Sequence, residues 1–96
     1  MSFRSKKLLR SAEGQACVEC GDIGSTVSCH VRSVAMGSGT GIKAPDCLTM
    51  HLCQRCHDLY DGRVPGLNKE GKEAMWNRCF VRTILRLFDQ GLVVVK

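Results

Sequence analysis

The sequence predicts a single α+β domain, a small metal-stapled ββα unit with a long helix behind it, on three observations. Two Cys-x2-Cys pairs, Cys17/Cys20 and Cys53/Cys56, stand thirty-two residues apart, and each can supply two corners of one tetrahedral site. Between them lie two stretches with strand character, Ser25 to Val34 and Asp46 to Leu52. After them a long helix runs from an Asn68 cap to about Gln90, with Gly91 as its stop.

Length and charge narrow the class. Ninety-six residues make one modest core, near the size at which a structural metal helps appreciably. A formal charge of +5 and a sequence pI near 9.0 fit an acidic partner such as nucleic acid without requiring one. Seven cysteines could indicate a disulfide scaffold, but Met1 to Arg10 carries only Leu8 and Leu9 as an apolar pair. An export signal needs an apolar run of roughly 7–15 residues. The expected setting is therefore a reducing cytoplasm, where paired cysteines read first as metal ligands.

Taken in order, residues 1–16 form a basic arm or short helix suited to phosphate contact or simply to solvent. Gly21 allows the tight turn after the first thiol pair. Thr26, Val27, Val31 and Val34 give the first strand its β-branched members, and His30 falls near its end. Ala35 to Pro45, with Gly37, Gly39 and Gly41, is loop chemistry and lacks the Gly-Lys-Ser/Thr ending of a phosphate-binding loop. A second strand then delivers the chain to Cys53. Residues 17–62 make up the ββα unit and 68–90 the C-terminal helix. In that helix Val81, Ile84, Leu85 and Phe88, widened by Phe80 and Leu87, form the expected core face. Arg78, Arg82 and Arg86 form a stripe expected to face solvent. Leu92 to Val95 reads as a last edge strand.

Four thiolates around one ion make a closed, redox-silent site, so Cys17, Cys20, Cys53 and Cys56 are expected to hold structural zinc. Cys29, Cys47 and Cys79 are expected to be small buried side chains. Cys53 to His57 also spells the c-type haem attachment motif, a reading that would leave the upstream thiol pair idle. The second constellation is His30 with His57 and Asp61. His57 and Asp61, four apart, share a helix face, and a strand histidine can oppose them. A divalent ion on the helix pair would neutralise a scissile phosphate while His30 takes a proton from the attacking water.

These residues carry a resemblance. The first cysteine pair, His30-Val31-Arg32, a Gly-rich loop entering Lys43-Ala44-Pro45-Asp46, and Cys53-x2-Cys56-His57-Asp58 with Asp61 beyond it are together similar to the HNH, or His-Me finger, endonuclease family. Small phage and prophage nucleases are the nearest in appearance, and the likeness extends from about Leu8 to Val95. The resemblance implies a treble-clef, HNH-like fold and hydrolysis of DNA phosphodiesters in the cytoplasm of a bacterial host. It makes His30 the general base and His57 and Asp61 ligands of Mg2+ or another divalent cation. Asp46 stands where the family's middle asparagine orients the base, and an aspartate cannot donate as an amide does. Cys29 stands where many members have an aspartate or histidine ligand, and a thiolate suits zinc better than magnesium. Arg32 and Arg63 are candidate phosphate clamps. The rival expectation is a non-catalytic zinc knuckle that binds nucleic acid or protein through the same basic surface.

Overall fold

The computed structural model describes residues 3–33 and 44–95. Its elements run α1 (Lys6–Arg10), β1 (Val27–His30), β2 (Thr49–Leu52), α2 (Gln54–Asp61) and α3 (Lys69–Asp89). Val34 and the glycine-rich stretch up to Lys43 lie outside the described residues.

Local chemistry sets the boundaries. The Ser5 hydroxyl accepts from the Leu8 amide and starts α1. Asn68 accepts from the Gly71 amide at 2.7 Å and starts α3, satisfying one donor that a helix start leaves without a partner. Gly62, at φ 82°, ends α2 in the left-handed region and returns its amide to Asp58 and Leu59. Because α2 begins at Gln54 with Cys53 as its cap, the second thiol pair straddles a helix start.

The strands pair antiparallel with Cys29 opposite Met50 and His30 opposite Thr49. Every residue of β2 is buried, because α3 covers it and β1 flanks it. Cys29, Val31, Met50, Leu52, Tyr60, Met75 and Cys79 form the core. The Ser28 hydroxyl donates to Leu9 O at 2.8 Å and ties α1 to β1.

Three expectations are corrected and a fourth is refined. The face of α3 that meets the sheet is Met75, Cys79, Thr83 and Leu87, spaced by four, whereas Val81, Leu85 and Phe88 are 53%, 58% and 45% exposed. Thr83 explains the choice, since its hydroxyl accepts from the His51 amide at 3.1 Å and donates to Cys79 O. That bond requires an approach that a row of bulky residues would prevent. The arginine stripe keeps its expected exposure at Arg78 and Arg82, but its head groups are engaged: Arg78 pairs with Glu19, Arg82 donates to Val18 O and Arg86 donates to Ala16 O. Residues 92–95 form no strand. The amides of Leu92 and Val93 turn back to Leu87 O, which closes α3 and directs Val94 and Val95 into solvent. Cys47 is exposed while Cys29 and Cys79 are buried.

Candidate metal and catalytic sites

Cys17, Cys20, Cys53 and Cys56 present sulfur atoms all within 4.8 Å of one another. The turn after Cys17 is closed by the Gly21 amide on Cys17 O at 2.9 Å, with Gly21 at φ 86°. This turn aims the amides of Glu19 and Cys20 at Cys17 Sγ, at 3.4 and 3.5 Å. Burial raises the Cys17 thiol, yet the amides of Cys53, Cys20 and Glu19 outweigh it and bring its pKa down to about 7. Cys56 is pushed up, first by burial and then by the sulfurs facing it. Four thiolates cannot share so small a volume without a cation among them. The four cysteines could therefore hold a structural metal such as zinc.

The arginines of α3 reinforce this corner. Arg78 Nε donates to Glu19 Oε1 at 2.9 Å and this bond, foremost, holds the Glu19 carboxyl below its ordinary value. With Arg82 on Val18 O and Arg86 on Ala16 O, both from 2.8 to 2.9 Å, residues 16–19 are fastened to the long helix.

A second group of side chains lies at the other end of the sheet. His30 Nε2 is 2.8 Å from Asp46 Oδ1. The carboxylate also accepts from Arg4 Nη1 at 3.0 Å and from the Ser5 amide at 2.7 Å. Burial alone would raise the Asp46 pKa, but the bonds from His30, Ser5 and Arg4 lower it on balance. On α2, His57 Nε2 is 2.8 Å from Asp61 Oδ2, while His57 Nδ1 is buried and has no hydrogen-bond partner. Arg32 Nε is 2.8 Å from Asp61 Oδ1, and Arg63 pairs with Asp58 at 3.0 Å and Asp61 at 3.7 Å.

Cys29, beside His30 on β1, offers a sulfur within 4.8 Å of ligand atoms of both His57 and Asp61. Burial first, then the Asp61 charge, pushes its thiol well up; a cation would be needed to draw off the proton. His30, Arg32, His57, Asp61 and Arg63 line one cleft of about 510 Å³. The backbone of Arg32 is fixed by Tyr60, whose buried hydroxyl accepts from the Arg32 amide at 2.8 Å.

Sequence reasoning passed over several of these partners. Arg4 and Ser5 reach Asp46 across more than forty residues, and no local pattern marks such a contact. His51 was also passed over. It is fully buried, with Nδ1 3.2 Å from Arg86 and Nε2 3.0 Å from Ser11 Oγ. An arginine can only donate, so Nδ1 accepts and Nε2–H donates to Ser11, which donates onward to Leu8 O. Burial, then Arg86, lowers its pKa to about 4, and the neutral ring joins α1, β2 and α3.

Fold and site thus define a small α+β protein with a two-stranded antiparallel sheet, a C-terminal helix and a cluster of four cysteines. The chain belongs to the family described as "Putative nuclease YbcO", which matches residues 6–92. In fold it is similar to a solved structure described as a putative bacteriophage protein from Escherichia coli str. K-12 substr. MG1655. The two share 21% identity at a TM-score of 0.68, over 88% of this chain and 99% of the other. No curated protein matches. Among the described residues no helix is long and apolar enough to cross a membrane.

Proposed function

We propose that this protein is a metal-dependent DNA endonuclease of the HNH type, with His30 as general base and a divalent cation held by His57, Asp61 and Cys29. The observation that carries this reading is the single cleft lined by His30, already bonded to a carboxylate, and by the His57–Asp61 pair. Membership of a family described as nucleases supports it.

His30 Nε2–H donates to Asp46, which leaves Nδ1 with a free lone pair to take a proton from water. Asp46, held by Arg4 and Ser5, fixes the ring and stabilises the imidazolium that forms. Arg32 and Arg63 lie where a phosphate oxygen would meet them, and each has a side chain more than half exposed. The metal's contribution is Lewis-acid stabilisation of the charge that gathers on the phosphate and the leaving oxygen. A sulfur, a nitrogen and a carboxylate oxygen form a donor set that suits zinc better than magnesium, which demands oxygen ligands.

Supercoiled plasmid incubated with purified protein and added Mn2+, Zn2+ or Mg2+ tests the reading. Nicking or linearisation is expected, reduced about 10²–10⁴-fold in His30→Ala. Undiminished cleavage by a folded His30→Ala protein would remove His30 from the mechanism. No cleavage with any of the metals would leave the non-catalytic zinc knuckle as the better account.

A further inference from the structure

A second cleft, of about 500 Å³, shares Arg32 with the first and is lined also by Tyr60, Lys69, Lys72, Glu73 and Trp76. We infer that it takes an unpaired nucleotide of single-stranded DNA next to the scissile phosphate, with the base against the Trp76 indole and a phosphate between Lys69 and Lys72. The inference rests on the nuclease reading for its ligand.

Three observations carry it. Lys69, Lys72 and Trp76 stand at i, i+3 and i+7 on α3, so two ammonium groups and an aromatic ring share one helix face. Among the described residues neither lysine forms an ion pair within 4.0 Å, and Glu73 is the one carboxylate in the lining. With Arg32 paired to Asp61, the two lysines against the single Glu73 leave the lining with a net positive charge. Finally, Arg32 lines both clefts, and Lys72 Nζ lies 3.0 Å from where a side chain on Gly62 would begin. Gly62 lies between Asp61 and Arg63 of the catalytic cleft, so a strand crossing that cleft passes directly into this one. Duplex DNA keeps its base faces stacked inside the helix, whereas a single strand can present one to an indole.

Trp76 is the one tryptophan in the chain, so its fluorescence reports on the cleft itself. His30→Ala protein without added divalent cation is titrated with an oligothymidine of about six nucleotides, within the range of small single-strand sites. Quenching is expected at concentrations where a GC-rich duplex, long enough to stay annealed, gives none. Lys69→Ala/Lys72→Ala should weaken binding about tenfold at low salt and reduce the slope of log K against log salt by about 1.4, the value for two contacts on a single strand. Trp76→Leu, read by anisotropy of a labelled strand, should lose about tenfold with duplex binding unchanged. If Trp76→Leu fails to fold, the exposed lysine variant still decides through Trp76 itself.

Absence of quenching, equal quenching by duplex, or an unchanged salt slope in the lysine variant would overturn the inference. A protein that quenches but never cuts loses only the nuclease reading. One that cuts without quenching loses only this inference.

Discussion

At His30 a single hydrogen bond decides which ring nitrogen is free for chemistry. Asp46 accepts at Nε2, so in the proposed mechanism the proton-taking atom is Nδ1, and the same carboxylate has its second oxygen filled by the Ser5 amide. Asp46→Asn tests this arrangement closely. The amide oxygen can still face His30 and Arg4, but its NH2 would then meet the Ser5 N–H, donor against donor. The variant is expected to lose about 1–3 kcal/mol of stability in a denaturant titration and to cleave at least about 10²-fold more slowly. Asp46→Ala with unchanged cleavage would show that the ring needs no such partner. Cys29 belongs to the same scale. Cys29→Ser replaces a soft donor by a hard, neutral one, and the ratio of zinc-supported to magnesium-supported cleavage is expected to fall. The residue types of this site were legible in the sequence because histidine, cysteine and aspartate are chemically conspicuous. The donors on Asp46 were not, since a backbone amide and an arginine forty residues away carry no local signature.

The α3 helix carries two stripes, and their relative burial could not be read from apolar spacing alone. Val81, Ile84, Leu85 and Phe88 satisfy a core pattern on paper. The sheet instead takes Met75, Cys79, Thr83 and Leu87, the set that lets a hydroxyl reach the His51 amide. A substitution pair separates the two faces. Leu87→Ala is expected to cost about 2–5 kcal/mol, as a truncation that leaves a cavity does, whereas Leu85→Gln should stay within about 0.5 kcal/mol. Equal costs, measured by thermal or denaturant unfolding, would contradict the orientation of the helix. Thr83→Val is nearly isosteric and leaves the buried His51 N–H without its acceptor, at an expected cost of about 1–3 kcal/mol, while Thr83→Ser should recover most of it. Helix limits were legible because Asn68 and Gly62 act locally. Helix rotation was not, because it depends on a backbone donor in another element.

Across the whole molecule the four cysteines and the three arginines belong to one support. β2 delivers Cys53 to the four-cysteine corner while its His51 is held by Ser11 of the N-terminal segment and Arg86 of α3, and Arg78, Arg82 and Arg86 grip residues 16–19. The arginines looked like a solvent stripe in the sequence because their partners are largely backbone carbonyls, which any residue supplies. The cysteines stood out because their spacing is the signal. Metal bound by the four sulfurs should consequently stabilise more than its own loop. About one zinc per chain is expected in untagged protein, since one closed site takes one ion. Removing it with a chelator, or through Cys20→Ala, should lower the melting temperature markedly and speed amide exchange along α3 from Arg78 to Arg86, because ligand binding to the folded state is folding free energy. Exchange confined to residues 17–22 would mean that the arginine contacts do not transmit the loss. Retained zinc and an unchanged melting temperature in Cys20→Ala would mean that these sulfurs do not form one site. The His30 cleft offers the matching control: His57→Ala should leave the tightly held zinc in place, since His57 faces Asp61 and Cys29 and belongs to the other group of ligand atoms.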